Sequence, residues 1–146
     1  MIYLDNAATT HPKPEVVYSS VDRTLREVGG NPGHAGHSLS MEAGRIVFRA
    51  RELIARLINA PDSSSERVVF TKNGTEAINI ALKGLLKSGS NAITTSFEHN
   101  AVSKTLKRLE NTGVTVTSIR PDTEGFIKVE EIKKAIRPYT RLVCLS

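Results

Sequence analysis

Short apolar runs alternate with amphipathic segments from residue 68 to residue 145, and this alternation limits the possible folds more than any other feature of the sequence. Runs rich in β-branched residues predict strands, and apolar residues three or four positions apart predict helices. The predicted strands lie at 68–71, 92–96, 114–119 and 141–145, and the predicted helices between them lie at 75–87, 100–110 and 129–136. This order is typical of βαβ units with right-handed crossovers. We therefore predict an α/β fold with a largely parallel sheet and flanking helices.

Two helices are also predicted before residue 60. Apolar residues recur at helical spacing over 14–28, and a broad apolar stripe runs through 41–59. The segment 29–40 between them is rich in glycine and contains two histidines, so we predict a loop there. Long loops in compact domains often carry function.

The turn that precedes the helix at 75–87 is the first candidate binding site. A strand that enters a helix through the turn Asn73-Gly74 presents free backbone N–H groups and the positive end of the helix dipole, which suit a phosphate group. Asn-Gly is also the strongest hairpin dipeptide, but the residues from Thr75 onward show helical periodicity. The turn lacks the residues of the P-loop and of the dinucleotide fingerprint. We predict a phosphate-bearing ligand at Gly74 and Thr75, at the start of a helix that is well buried against the sheet.

His99 is the second candidate, because it follows the strand at 92–96 and precedes the next helix. Ligands of open parallel sheets bind outside the carboxyl ends of the strands, so we expect His99 and Gly74-Thr75 to face one crevice. A histidine at this position either stacks on a flat cofactor, transfers protons, or is a solvated residue at a helix N-terminus. The residues alone leave these alternatives open.

Charge and composition limit the possible partners. The net charge of +5 raises the possibility of nucleic-acid binding, but basic residues such as Lys104, Lys107 and Arg108 recur at the helical spacing of a solvated face, and aromatic residues make up only 5% of the chain. Nucleic acid and membrane are therefore not expected as partners, and a cytoplasmic location is expected because the N-terminus lacks the pattern of a signal peptide. Cys144 is the only cysteine, so we predict neither a disulfide nor a metal site, and its place in a predicted buried strand favours inert packing.

Four segments together resemble the cysteine desulfurases and their relatives among the class V aminotransferases. These segments are YLDNAATT at 3–10, GNP at 30–32 with His37, FTKNGTEA at 70–77, and EHNA at 98–101. The resemblance implies an enzyme of the aspartate aminotransferase fold that uses pyridoxal 5'-phosphate (PLP). It also implies an amino-acid substrate, cysteine or selenocysteine, which gives alanine and an enzyme persulfide, together with a homodimer and a possible sulfur-acceptor protein.

The resemblance assigns roles to eight residues. Asn73, Gly74 and Thr75 resemble the cup for the cofactor phosphate, and His99 resembles the ring that stacks on the pyridine. Three further residues, Asn6, Ala7 and Ala8, resemble a segment near the substrate, and His37 resembles a histidine beside the mouth of the active site. Many members have glycine in place of Asn73, and we expect asparagine to tolerate the left-handed conformation that such a turn can require.

The resemblance also implies that residues 1–146 comprise an N-terminal helical segment and the first part of the PLP-binding large domain. In the family, the Schiff-base lysine, the acidic residue on the pyridine nitrogen and the sulfur-accepting cysteine lie beyond the region that the resemblance covers. We expect the chain to be part of a longer protein, or to be completed by a complementary C-terminal chain, and to be inactive alone. The alternative is a non-catalytic homologue, or a subunit of a split enzyme, that binds a phosphate ligand or a partner chain.

Overall fold

The computed structural model describes residues 2–33, 36–61 and 65–146, and the chain divides into two compact units, Met1–Val69 and Phe70–Ser146. The described residues form five α-helices and three β-strands. In chain order these are α1 (Glu15–Glu27), α2 (Ser38–Leu57), α3 (Gly74–Leu85), β1 (Asn91–Thr95), α4 (Asn100–Glu110), β2 (Thr115–Ile119), α5 (Val129–Ala135) and β3 (Thr140–Val143).

The first unit contains α1 and α2, and both predicted helices are confirmed. The predicted loop at 29–40 is too long, because Ser38, Leu39 and Ser40 already belong to α2. The reason is a local cap: Nδ1 of His37 accepts a hydrogen bond from the backbone N–H of Ser40 at 3.3 Å, which satisfies one of the free N–H groups at the helix start.

The start of α2 is also fixed by close contact with the preceding segment. The Ser40 hydroxyl donates to the carbonyl oxygen of Asn31 at 2.6 Å. A Cβ atom at Gly30 would overlap the backbone carbonyl of Leu39, so only glycine allows the chain to pass this closely. The segment 30–31 and the first turn of α2 therefore form one packed corner.

The second unit is built on a parallel sheet with the strand order β2-β1-β3, which confirms the predicted α/β class. Strand β1 lies in the middle, and its residues Ala92 and Ile93 are fully buried, as expected for a strand covered on both faces. Helices α3 and α4 contribute most of the core around the sheet. This core comprises Leu82, Leu86, Ala92, Val102, Leu106, Leu109 and Val114.

Asn91 joins the three strands at the beginning of β1. Its side-chain Nδ2 donates to the carbonyl oxygen of Thr115 at 3.2 Å and to Oγ1 of Thr117 at 3.0 Å, and its Oδ1 accepts from the hydroxyl of Thr140 at 2.9 Å. The side chain is almost fully buried, so these bonds compensate for its desolvation.

The predicted strand at 68–71 is wrong. The sheet of the described residues has three strands, and 68–71 is not one of them. Val69 and Phe70 are 72% and 49% exposed. A run of β-branched and aromatic residues favours extended backbone, but a strand also needs a neighbour to pair with. The predicted fourth strand, at 141–145, is therefore the third one, β3.

The expectation that the helix at 75–87 is well buried is also wrong. Within α3 only Leu82 is buried, and Ile80 and Leu85 are each 57% exposed. The helix packs against α4 and the sheet through the stripe that contains Leu82 and the partly buried Ile78. Apolar residues around the rest of its circumference face away from this core.

Candidate functional site

Asn73 caps the N-terminus of α3. Its Oδ1 accepts from the backbone N–H of Glu76 at 2.9 Å, and the Glu76 carboxylate in turn accepts from the backbone N–H of Lys72 at 2.7 Å. This arrangement resembles a capping box, except that the Glu76 carboxylate accepts from the residue before the Ncap and not from the Ncap itself. Asn73 has φ −165° and ψ 171°, which is extended backbone, so this turn does not require the left-handed conformation that asparagine was expected to tolerate. The extended Ncap residue suits asparagine as well as glycine.

The cap leaves two donors of the first turn available. The N–H of Glu76 is bonded to the Asn73 side chain, and the N–H of Ala77 to the Asn73 carbonyl oxygen. Within the described parts of the chain, the N–H groups of Gly74 and Thr75 have no acceptor. They are the two residues for which the sequence predicted a phosphate ligand, and they lie at the positive end of the helix dipole.

His99 caps the N-terminus of α4, directly after β1. Its Nδ1 accepts from the backbone N–H of Ala101 at 3.0 Å, and its carbonyl oxygen accepts from Val102 and Ser103. Because Nδ1 is an acceptor, the proton of the neutral ring lies on Nε2. The cap thus fixes both the orientation of the imidazole and its tautomer.

Glu98 holds the segment that leads to His99. Its carboxylate accepts hydrogen bonds from the Thr95 hydroxyl at 2.7 Å, from the backbone N–H of Ser146 at 3.2 Å and from the Ser146 hydroxyl. Burial by itself raises the pKa of Glu98, but the hydrogen bonds from Ser146 and Thr95 outweigh it, and the pKa lies below its ordinary value. The ionised carboxylate therefore ties the end of β1 to the residues after β3.

Thr75 and His99 line one cavity of about 460 Å³ between α3 and α4. Its wall comprises Thr75 and Asn79 of α3 together with His99 and residues of α4 as far as Arg108; Asn73 and Gly74 are not part of this wall. Among the described residues that line the cavity, Lys104 and Arg108 are positively charged and none is a carboxylate. The cavity is therefore electropositive and rich in hydrogen-bonding groups.

The other four predicted site residues belong to the first unit. Asn6 accepts from the backbone N–H of His11 through Oδ1 at 3.1 Å and donates through Nδ2 to the carbonyl oxygen of Tyr3 at 3.4 Å. Ala7 and Ala8 are exposed in the same turn, and His37 caps α2 as described above. Their predicted roles near the substrate remain predictions.

Cys144 lies one residue beyond β3 rather than within it, and it is half-buried. Burial, and to a smaller extent the negative charge of Glu98, raise the pKa of its thiol. A thiol with a raised pKa is a poor nucleophile, which agrees with the predicted packing role. In the residues that the structure describes there is no cluster of three potential metal ligands among His, Cys, Asp and Glu, and no helix long and apolar enough to cross a bilayer.

Parallel strands, flanking helices and two helix N-termini at one cavity are the architecture of an α/β ligand-binding protein. The class-V aminotransferase family model matches residues 2–146. The chain therefore belongs to the class-V aminotransferase family, and the resemblance found in the sequence is confirmed.

The relatives with known names agree with this family. The chain is 39% identical to the cysteine desulfurase IscS of Shewanella denitrificans and 40% identical to that of Clostridium botulinum, with 99% and 97% of this chain aligned. It spans 36% of the length of each of these curated relatives. The sequence similarity therefore covers one part of those enzymes.

Solved structures show the same fold. A NifS-like protein superposes with a TM-score of 0.85 at 34% identity, over 99% of this chain and 39% of its own. The apo cysteine desulfurase of Thermococcus onnurineus superposes with a TM-score of 0.85 at 29% identity, over 99% of this chain and 36% of its own. The fold is therefore that of the corresponding part of these proteins.

Sequence reasoning missed two features of the cavity and its surroundings. The first is that Lys104 and Arg108, which were interpreted as part of a solvated basic face and are exposed, also line this cavity. The second lies beside the cavity: Glu98 anchors the segment before His99, and no local signal indicated it. Lys104 and Arg108 are one helical turn apart, on the same face of α4, and this spacing could have indicated that they share one environment. Lys107 differs, because it pairs with Glu110 at 3.0 Å.

Proposed function

We propose that this chain is the N-terminal part of a PLP-dependent enzyme of the cysteine desulfurase type. The phosphate of PLP binds to the N–H groups of Gly74 and Thr75, in the turn capped by Asn73, and the pyridine ring stacks on His99. The family membership of residues 2–146 supports the cofactor and the reaction class.

One observation carries this proposal. Gly74 and Thr75 carry the N–H groups of the first turn of α3 that have no acceptor among the described residues, and Thr75 shares a cavity with the flat ring of His99. A phosphate donor set and a stacking surface are the two groups that a phosphorylated pyridine needs.

The cavity and its donors fit the cofactor. Its volume of about 460 Å³ lies within the range of roughly 300–1,000 Å³ that small-molecule sites occupy. Its polar lining is cationic or neutral, as a phosphate dianion requires. When bound, PLP supplies an electron sink for bond cleavage at the amino-acid substrate.

We infer that His99 orients the pyridine ring. Nδ1 of His99 accepts the hydrogen bond from the Ala101 N–H that caps α4, and this contact holds the imidazole in one orientation. A neutral ring presents its π-face to the pyridine and retains an Nε2–H donor at its edge. Its role is thus binding and orientation.

The remaining assignments follow from the family. Asn6, Ala7, Ala8 and His37 lie near the bound amino acid, which is cysteine or selenocysteine. The complete enzyme is a homodimer, or is formed with a complementary C-terminal chain, and passes sulfur to an acceptor protein in the cytoplasm. Chemistry at the amino acid requires groups from the rest of such an enzyme, so this chain alone releases no sulfide.

The test measures binding of pyridoxine 5'-phosphate, which lacks the aldehyde and cannot be trapped by surface lysines. The variant Gly74→Pro removes one N–H at the first helical position, where proline is well tolerated, and the extended backbone of Asn73 accepts a following proline. Gly74→Ala is the matched control, since it keeps the N–H and its Cβ meets no atom within 4 Å.

We expect Gly74→Pro and His99→Ala each to weaken binding about tenfold, as for the loss of a hydrogen bond to a charged group or of a stacked ring, and Gly74→Ala to bind like the unmodified chain. Calorimetric titration measures these affinities. Equal affinities for Gly74→Pro and Gly74→Ala would contradict the phosphate assignment. Binding of phosphate without any effect of His99→Ala would favour a non-catalytic phosphate-binding protein.

A further inference from the structure

The cavity between α3 and α4 contains two positive charges that the proposed cofactor contacts leave unassigned. Lys104 and Arg108 both line it, and neither forms an ion pair within residues 2–33, 36–61 or 65–146. We call this cavity, with its lining from Thr75 and Asn79 on one side and from His99 to Arg108 on the other, the α3–α4 groove.

The position of the two cations is unfavourable without a counter-charge. Lys104 and Arg108 are four residues apart on α4, and like charges at this spacing repel and destabilise a helix. The neighbouring Lys107 forms an ion pair, because its Nζ lies 3.0 Å from the Glu110 carboxylate. An anion in the groove would give the other two the partner that the lining does not provide.

The backbone adds positive potential at the same place. Thr75 is the second residue of α3, and Asn100 is the first residue of α4, and both line the groove. The N-terminal ends of both helices, where the dipoles are positive, therefore border the groove. Arg108 offers a planar fork of donors for phosphate oxygens, and Lys104 a compact charge.

We propose that the α3–α4 groove binds a phosphate group through Lys104 and Arg108, in addition to the backbone donors of α3. The identity of this phosphate as that of PLP rests on the proposed function. In that case, the groove selects phosphorylated over unphosphorylated pyridine cofactors. Without PLP binding, the same groove takes inorganic phosphate. The two sources of phosphate are separated by the probes below.

The experiment titrates the full chain with inorganic phosphate, with pyridoxine 5'-phosphate and with pyridoxine. The variants are Lys104→Gln, Arg108→Gln and the double variant. Lys107→Gln is the matched control, because it removes the same charge from the same helix outside the groove. All three positions are exposed and are changed to glutamine, a good helix former, and circular dichroism verifies the helix content of each variant.

We expect Lys104→Gln and Arg108→Gln each to weaken binding of inorganic phosphate and of pyridoxine 5'-phosphate about tenfold, and the double variant to lose most of the salt dependence. Lys107→Gln changes either affinity less than twofold, and binding of pyridoxine is the same in all variants. Phosphate binding that survives the double variant, or that falls equally in Lys107→Gln, overturns the proposal.

The two proposals fail in different ways. If inorganic phosphate binds and depends on Lys104 and Arg108, but pyridoxine 5'-phosphate binds no better than inorganic phosphate and is indifferent to His99→Ala, the groove is an anion site and the PLP proposal is wrong. If pyridoxine 5'-phosphate depends on His99 and Gly74 but not on Lys104 and Arg108, the groove proposal is wrong and the cofactor assignment stands.

Discussion

The two units of the chain differ in how they bury apolar residues. In the first unit, α1 has no buried residue, and the buried residues of α2 are the small ones Ser40, Ala43 and Ala55. In the second unit, large aliphatic side chains of α3, α4 and the sheet form one core. Packing of a core therefore stabilises the second unit. In the first unit, a helix cap contributes about 1 kcal/mol, and exposed ion pairs such as Arg45–Glu42 contribute only tenths of a kcal/mol each.

Truncating a large side chain in each unit gives the strongest test of this difference. Leu82 is 1% exposed in the core of the second unit, and Leu53 in α2 is 50% exposed. We expect Leu82→Ala to lower the free energy of unfolding by about 2–5 kcal/mol, through lost burial and a cavity, and Leu53→Ala by less than about 1 kcal/mol. Chemical denaturation followed by circular dichroism measures both. Similar losses would mean that the first unit has a core comparable to the second.

A glycine pair tests whether any part of the first unit is specifically packed. Gly30→Ala places a methyl group against the Leu39 carbonyl, and we expect a loss of about 1–3 kcal/mol from the resulting overpacking. Gly44→Ala is the matched substitution within α2, where an added Cβ meets no atom within 4 Å, and we expect a gain of about 0.5–1 kcal/mol from helix propensity. Thermal melts compare the two, and a neutral Gly30→Ala would rule out the packed corner at 30–31.

Asn91 tests whether polar contacts in the second unit reinforce its core. We expect Asn91→Ala to lower the free energy of unfolding by about 1–3 kcal/mol, because the Thr115 carbonyl and two threonine hydroxyls lose a buried partner. A double-mutant cycle with Thr140→Val isolates the bond between Asn91 Oδ1 and the Thr140 hydroxyl. Additive effects in that cycle would show that this bond adds no stability.

Local periodicity predicted correctly those helices and strands that are determined by their own residues. Helix α4 was predicted at 100–110 and is found there, because His99 provides a cap and the apolar spacing is regular. The strand at 68–71 was not found, since pairing depends on a neighbour that a local pattern cannot reveal. The burial of α3 was overestimated for a similar reason: periodicity shows that a helix has apolar residues but not which of them are covered.

The residues of the candidate site were also predicted where the signal is local. The turn residues predicted that helices begin next to Gly74 and His99. In the structure, Thr75 and His99 line one cavity. The spacing of Lys104 and Arg108 indicates that they share one face of α4, but it does not show that this face borders the cavity. Lys107 differs from both in the structure, because it pairs with Glu110 and does not line the cavity.

The smallest effect that we expect concerns pH and the ends of the strands in the second unit. Hydrogen bonds from Ser146 and Thr95 outweigh the effect of burial and hold the pKa of Glu98 below its ordinary value of 4.5. A carboxyl group with a lowered pKa in the folded state stabilises it above the unfolded pKa, and this stabilisation is lost as pH falls through the folded pKa. We therefore expect stability to decline below about pH 4.5, and Glu98→Gln to remove part of that decline. Denaturation midpoints at pH 3.5 to 7, with Glu124→Gln as an exposed control, measure the difference; identical slopes for Glu98→Gln and the unmodified chain would show that the carboxylate does not stabilise the end of β1.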